Sequence, residues 1–191
     1  MKKIHNFDLV YDSQKMFRLL LEAMSNPTRR VNIKEFSEKM YGNHSDFLAL
    51  AMTLLDNEVT FSTCENQEIS DEIVSLTLSN REQIDLADFI FVADSSLLQE
   101  VIETAKAGTL KDPQRSATII VKDDKSELVP LNLSGPGIKD KTHFLTSRLV
   151  EKAIEIRDNN YFEYPQGLDL IFVTNKSELF AIPRTTKKEV L

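Results

Sequence analysis

Apolar residues recur at helical spacing near the start of the chain. Within residues 13–25 they form two overlapping rows whose members lie three or four positions apart. The rows are Met16, Leu19, Leu20 and Ala23, and Phe17, Leu20, Leu21 and Met24. Two rows make a wide apolar stripe, so we predict a helix buried on more than one side, in the core, with a subunit contact as the alternative for this face. Asn26 and Pro27 end the helix, because the residue before a proline avoids helical geometry.

The same periodicity predicts more helices further along the chain. They lie at residues 45–55, 69–78 and 146–158. Ser45 or Asn43 is the expected N-terminal cap of the first of these. One more helix follows a strand, with Asp94 or Ser95 as its cap and Gly108 as its C-terminal stop.

Short apolar runs between these helices predict strands. They lie at residues 59–62, 88–94, 117–121, 129–133, 168–173 and 179–182. The charged connection 122–127 predicts a hairpin between the third and fourth of them, and the turn at 174–177 predicts another between the last two. Strands alternating with helices predict one α/β domain over residues 1–191, with a mixed sheet between two layers of helices.

Net charge and cysteine content argue against several classes of function and partner. The net charge is −7, with an isoelectric point near 5.1, so we expect no nucleic-acid partner. Cys64 is the one cysteine and has no basic neighbour, which predicts an unreactive thiol in a reducing compartment. No apolar stretch approaches the roughly 20 residues that span a membrane, and none like that of a signal peptide precedes Asp8. These features predict a cytoplasmic protein without a membrane partner.

One segment has the length of a nucleotide-binding loop. Residues 135–142 end in Lys141-Thr142, as a phosphate-binding loop would, but Asp140 stands where the second glycine belongs. An acidic side chain there opposes the approach of a phosphate, and no capped helix begins at Lys141. We therefore favour a turn between a strand and a loop.

Other catalytic patterns are not found in the sequence. The three histidines are far apart and match no metal-binding spacing, and the sequence contains no G-x-S-x-G. Lys176 lies in the 174–177 turn, where it is expected to be an exposed charge and not a Schiff-base lysine. We predict no catalytic residue, no metal ligand and no cofactor.

The C-terminal segment contains an acid within an apolar strand. Asp169 needs a partner if it is buried, and Arg184 lies just beyond the second strand of the predicted hairpin. Pro165 and Gly167 predict a turn before the hairpin, and Pro183 ends its second strand. We favour a structural ion pair, with a ligand site as the alternative.

Three motifs together resemble the H subunit family of the bacterial carbon–phosphorus lyase system. They are the helix end at residues 17–27, the Leu-Ser-Gly-Pro-Gly-Ile segment at 133–138, and the Pro-x-Gly-x-Asp-Leu and Ile-Pro-Arg-Thr-Thr segments after residue 164. The positions that carry the resemblance are Phe17, Arg18, Met24, Ser25, Pro27, Ser134, Gly135, Pro136, Gly137, Pro165, Gly167, Asp169, Pro183, Arg184, Thr185 and Thr186. We expect these positions to be structural or to lie at interfaces.

The resemblance implies a fold and a role. The fold would be a three-layer α/β/α sandwich similar to the large domain of pyridoxal-phosphate-dependent transferases, without the cofactor site. The chain would form a homodimer and assemble with the G, I and J subunits. That complex makes a ribose-1-alkylphosphonate triphosphate from ATP and an alkylphosphonate, so this chain would be an accessory subunit in organic phosphonate catabolism.

The chain departs from the family pattern, and two alternative functions stay open. Thr28 stands where a glycine is expected after Ser-x-Pro, and residues 58–62 match only loosely. One alternative is a self-sufficient enzyme that binds phosphate or a nucleotide through the 134–142 turn, Lys141 and Arg184. The other is a decayed cofactor fold that still holds a pyridoxal-type ligand.

Overall fold

The structure, a computed structural model, describes residues 5–124, 127–160 and 162–189. The α-helices within them are α1 Tyr11–Ser25, α2 Lys34–Ser37, α3 Ser45–Leu54, α4 Gln67–Thr77, α5 Leu98–Thr104 and α6 Arg148–Asn159. The strands are β1 Val31–Asn32, β2 Thr60–Ser62, β3 Asn80–Arg81, β4 Phe89–Val92, β5 Thr118–Asp123, β6 Leu128–Ser134, β7 Thr142–Ser147, β8 Asp169–Thr174, β9 Glu178–Ile182 and β10 Lys187–Lys188. Within these ranges no helix is both long enough and apolar enough to cross a bilayer.

The strands form a large mixed sheet and a small antiparallel one. The large sheet has seven strands in the order β1-β9-β8-β5-β4-β2-β3, and its strands from β8 to β3 run parallel. β9 is antiparallel to β8, and β1 to β9. The small sheet has the order β10-β6-β7. The predicted mixed α/β fold is confirmed, and the separate small sheet is an addition to it.

Helices cover both faces of the large sheet. On one face α1, α2, α3 and α4 enclose a core that includes Phe61 and Phe91. On the other face α5, α6 and the small sheet enclose a core that includes Ile90 and Phe172. Neighbouring strand residues thus enter different cores, because side chains alternate across a sheet.

Only one apolar row of α1 is buried, so the prediction of burial on more than one side is wrong. Met16 and Leu20 pack against the sheet with almost no exposure, whereas Phe17 is 46% exposed and Leu21 is 52% exposed. A helix in an outer layer meets the sheet along a single stripe, and the second row faces away from it.

The predicted hairpin between residues 117–121 and 129–133 is also wrong. β5 is an interior strand of the large sheet, parallel to β4 and β8, whereas β6 belongs to the small sheet. β5 is buried on both faces and contains the consecutive apolar residues Ile119, Ile120 and Val121, while β6 alternates between its two faces in exposure. Part of the predicted connection, residues 125 and 126, lies outside the described residues. The second predicted hairpin, β8 with β9, is confirmed.

The helix ends differ from the prediction at two places. His44 precedes α3 and its side chain makes no capping hydrogen bond, so neither Asn43 nor Ser45 caps that helix. α5 ends at Thr104, four residues before Gly108, because the chain turns there to an extended conformation. Asp94 caps the short 3₁₀ turn before α5 as expected, with its carboxylate accepting from the amide of Ser96.

Arg30 joins the edges of the two sheets. Its guanidinium carbon lies 5.0 Å from the ring centre of Phe144 and 4.6 Å from that of Phe180. It also donates a hydrogen bond of 3.0 Å to the carbonyl of Leu145 on the edge strand β7. The arginine therefore covers an open strand edge and adds cation–π contacts between the sheets.

Thr28 has a left-handed backbone conformation in the turn between α1 and β1. Its φ is +77°, a value that is unfavourable for a β-branched residue and natural for glycine. Its amide donates to the carbonyl of Ala181 at 3.4 Å, so the strand beside the turn holds the conformation in place. The residue that departs from the family pattern is thus a strained one.

We expect Thr28→Gly to stabilise the protein by about 1 kcal/mol, because relief of the left-handed strain exceeds the entropy cost of glycine. Urea denaturation checks this. Thr28→Ala is the matched control, since it removes the β-branch but keeps Cβ, and it should recover only part of the gain. Lower stability of the glycine variant would contradict the strained conformation.

Candidate functional site

Three segments that carry the family resemblance meet in space. Residues 25–27 at the end of α1, residues 134–137 after β6 and residues 183–186 after β9 lie in direct contact, and we call this cluster the motif junction. The turn at 134–137 touches both of the other segments. Residues more than a hundred positions apart are thereby brought to one place.

Two glycines make the close approach in the motif junction possible. Gly137 has φ +82°, and a Cβ there would overlap the carbonyl oxygen of Ser25 and lie 2.8 Å from Cδ of Pro27. Gly135 has φ +136°, and a Cβ there would lie 2.7 Å from the carbonyl oxygen of Thr185. Any other residue would push the segments apart, so both glycines have a packing role.

A buried arginine that the sequence reasoning missed holds the third segment. Arg157 of α6 has a side chain only 2% exposed, and Asp158 is its ion-pair partner. It donates to the carbonyls of Ile182 and Pro183 at 3.1 Å each and to that of Thr186 at 2.7 Å. These carbonyls lie where β9 ends, so the guanidinium replaces the strand partner that they lack.

Asp169 and Arg184 form the ion pair that the sequence predicted. Arg184 Nε lies 3.3 Å and 3.1 Å from the two carboxylate oxygens, and the Arg184 amide donates to Oδ1 at 2.8 Å. Nη1 donates to the carbonyl of Pro113 at 3.0 Å, and Nη2 bonds the hydroxyl of Ser116. Both side chains are largely buried, with exposures of 13% and 19%. Their hydrogen-bonding groups are occupied by the protein itself.

The approach to this pair is close-packed. Pro165 follows a cis peptide bond, and Gly167 passes so near Arg184 that a Cβ would lie 2.9 Å from the arginine Cβ. The amide of Gly167 donates to the carbonyl of Ala107 at 3.0 Å. β9 ends at Ile182, immediately before Pro183, as predicted.

The remaining motif positions fall into a buried and an exposed group. Thr186 is fully buried, and its hydroxyl has no hydrogen-bond partner in the described parts of the chain. Met24 packs partly against the core, and the hydroxyl of Ser25 bonds the preceding turn of α1. Phe17 and Arg18 face solvent. The last two therefore have no role in the interior.

The segment that resembles a phosphate-binding loop has different geometry. Thr142 begins the strand β7, whereas a phosphate-binding loop leads into a helix. Lys141 forms an ion pair of 3.0 Å with Glu189, which also bonds the hydroxyl of Ser134. Pro136 is exposed at the tip of the turn. The turn closes the small sheet against its C-terminal strand.

Two other residues considered from the sequence lie away from the motif junction. Lys176 is exposed in the turn between β8 and β9. Cys64 is buried after β2, and burial, together with the charges of Glu100 and Glu65, raises the pKa of its thiol to about 12. Among the described residues no three His, Cys, Asp or Glu side chains are grouped as a metal site would require.

The motif junction suits a structural role. Its one charged residue, Arg184, is paired with Asp169 and donates to a backbone carbonyl, and its glycines allow contacts between backbones. The sequence profile of the family described as bacterial phosphonate metabolism protein (PhnH) matches residues 6–189. The chain belongs to the PhnH family. Membership gives it a role in phosphonate metabolism, and it agrees with the resemblance found from the motifs. Among curated proteins, none matches the chain.

We expect Asp169→Ala and Arg184→Ala each to lower the free energy of unfolding by about 3 kcal/mol, because each leaves a buried charge without its partner. The double variant should lose less than the sum, with a coupling of about 1–3 kcal/mol. Urea denaturation of all four proteins checks this.

The exposed pair Arg148 and Glu127 provides the matched control, since solvent screens it and its removal should leave the denaturation midpoint nearly unchanged. Single variants of Asp169 and Arg184 with wild-type stability would instead favour the ligand-site alternative.

Cys64 should resist alkylation in the folded protein. With a pKa of about 12, only about one thiol in ten thousand is ionised at pH 8, so iodoacetamide should react about a thousandfold more slowly than with the unfolded chain. Mass spectrometry of labelling with and without denaturant measures the ratio. Equal rates would show that the thiol is open to solvent.

Proposed function

We propose that this chain is an accessory subunit of the carbon–phosphorus lyase core complex. It would assemble with the G, I and J subunits and support the formation of a ribose-1-alkylphosphonate triphosphate from ATP and an alkylphosphonate. The family membership supports the phosphonate role. The assignment as a scaffold and not as the catalytic chain rests on the contacts of the motif residues.

The observation that carries the proposal is that the polar motif side chains Arg184 and Ser134 bond to other groups of the protein itself. Arg184 is bound by Asp169, Ser116 and a backbone carbonyl, and Ser134 is bound by Glu189. Neighbouring backbone atoms occupy the space that a side chain at Gly135 or Gly137 would need. Catalytic groups need free atoms that face a substrate, and these atoms face each other.

A second observation concerns the exposed row of α1. Phe17 and Arg18 belong to the motif by which the chain resembles its family, yet both face solvent. Leu21 continues the row one turn further, and Val10 precedes it at 71% exposure. Contact with another subunit would bury this row, so we place part of the interface here.

The geometry gives less support to a self-sufficient phosphate- or nucleotide-binding enzyme. That function requires Arg184 and Lys141 to meet an anion, but Asp169 and Glu189 already pair with them. Freeing Arg184 would break a largely buried, hydrogen-bonded ion pair, which costs binding energy.

Three further statements belong to the same proposal. The fold would be similar to the large domain of pyridoxal-phosphate-dependent transferases without the cofactor site, and the exposed position of Lys176 agrees with this. The chain would work in the cytoplasm and would form a homodimer. Each of these rests on the family resemblance.

Co-expression with the G, I and J subunits tests the proposal. We expect one stoichiometric assembly in size-exclusion chromatography with light scattering, and no turnover of ATP or phosphonate by the isolated chain. The proposal fails if the isolated chain turns over either compound, or if the chain elutes separately from an intact complex of the other subunits.

The double variant Phe17→Glu/Leu21→Glu should abolish co-elution while keeping its stability, because both side chains are already exposed in the folded chain. Leu86→Glu/Leu110→Glu is the matched control, since these leucines are each 55% exposed and the change in charge is the same. Light scattering of the isolated chain shows whether the row binds a second copy instead. Intact assembly of the first variant would place the interface elsewhere.

A further inference from the structure

Exposed apolar side chains are concentrated on α1 and the turn before it. Of the eleven large hydrophobic residues that are exposed in the described parts of the chain, five lie between residues 9 and 21. They are Leu9, Val10, Tyr11, Phe17 and Leu21. Single exposed apolar residues are ordinary, whereas such a concentration on one element marks a surface that another molecule covers. We call the exposed side of residues 9–21 the α1 face.

Two cations lie beside the apolar residues of the α1 face. Lys15 and Arg18 are exposed, and neither forms an ion pair with any residue that the structure describes. Residues three or four apart are neighbours on a helix surface, so Arg18 adjoins Leu21 and Lys15 adjoins Tyr11. The buried residues of α1 lie on the opposite side of the row formed by Phe17 and Leu21, so both cations lie along one border of that row.

The carboxylates near the α1 face are already bound. Asp12 is buried and pairs with Lys39 at 2.6 Å, and Glu22 pairs with Arg29 at 2.6 Å. The carboxylate of Asp8 accepts from two backbone amides at the start of α1, at 2.9 Å and 2.7 Å. Among the described residues, this surface therefore has two unpaired positive charges and no carboxylate without a partner, although the chain as a whole has a net charge of −7.

This charge distribution argues against a second copy of the chain as the molecule that covers the α1 face. In a two-fold symmetric dimer a surface patch meets the same patch of its partner. Lys15 and Arg18 of the two copies would then approach each other without a carboxylate between them, and like charges brought together at an interface are unfavourable. The homodimer proposed above would therefore use another surface.

The α1 face also suits a protein partner better than a membrane. A helix that lies on a bilayer inserts its apolar side, but the more apolar side of α1 is packed against the sheet. Electrostatic binding to anionic lipids takes about four to eight clustered cations, and the α1 face has two. Phe17 and Leu21, four residues apart, instead have the spacing of a helix that docks into the hydrophobic groove of another protein.

We infer that the α1 face binds an apolar groove of another subunit of the complex, and that carboxylates border this groove on the side that meets Lys15 and Arg18. The apolar row supplies the contact area, and the two cations set the orientation of the helix in the groove. The inference rests on the proposed function, and it adds the chemistry of the partner surface.

Charge reversal tests the carboxylate border. Lys15→Glu/Arg18→Glu should weaken binding of the full-length chain to the preassembled complex of the G, I and J subunits about tenfold or more, because like charges would then meet. Lys111→Glu/Arg115→Glu is the matched control, since both cations are exposed in another part of the chain and the change in charge is the same; it should alter the affinity less than about twofold. Thermal unfolding of the isolated variants shows that they remain folded.

The salt dependence of binding separates the two proposals. The association rate of the wild type should fall about fivefold between about 50 mM and 300 mM salt, and that of the charge-reversed variant should not fall. Wild-type affinity of the charge-reversed variant would overturn the inference and leave the proposed function intact. A wild-type chain that does not bind the complex at all would overturn both.

Zero-length crosslinking identifies the partner groups. A carbodiimide joins an amine to a carboxylate that it contacts, so mass spectrometry of the crosslinked complex should find Lys15 joined to an Asp or Glu of the G, I or J subunit. Crosslinks of Lys15 to a second copy of the chain alone would overturn the inference. Flotation of the wild type with vesicles that contain phosphatidylserine, if lost on charge reversal, would overturn it in favour of a membrane.

Discussion

The buried guanidinium of Arg157 donates hydrogen bonds to backbone carbonyls where the chain passes from the large sheet to the small one. After β9 the backbone leaves the large sheet and enters the small one through β10, and the carbonyls of Pro183 and Thr186 lie between these two strands, outside either sheet. Unpaired carbonyls in a buried place are costly, and the three donated hydrogen bonds of Arg157 remove most of that cost. The fit of the 134–137 turn against residues 185 and 186 requires this crossing to be fixed. One side chain of α6 therefore helps to fix the small sheet, which also packs against the large sheet through its apolar residues.

Local sequence patterns correctly predicted the elements whose partners lie close by in the chain. The β8–β9 hairpin was predicted because a polar turn joins two apolar runs, and the Asp169–Arg184 pair because an acid in such a strand requires a cation. The β5–β6 hairpin was wrong, although the difference between the two runs was visible: Ile119, Ile120 and Val121 are consecutive apolar residues in β5, whereas β6 alternates. Continuous apolar runs indicate an interior parallel strand, and alternation indicates a sheet with one open face. The two-residue strands are too short to show any period.

The residues of the motif junction were also predictable only in part. Glycines and prolines were recognised in motifs, but which backbone each one touches depends on the packing of distant segments. Arg157 left a trace in the sequence, since it continues the apolar row of Val150, Ala153 and Ile154 at helical spacing. A charge in a buried row suggests an interior partner.

The place of β9 in the large sheet has a consequence for synthesis on the ribosome. β1 lies near the start of the chain and pairs with β9 through Val31 and Leu179, close to its end. On its other side β9 pairs with β8, which is also made late. β1 thus has no strand partner while most of the polypeptide is translated, and the edge of β5 that β8 will cover stays open. A nascent chain of this topology exposes apolar surface until β8 and β9 have been made, and such surface promotes aggregation during that interval.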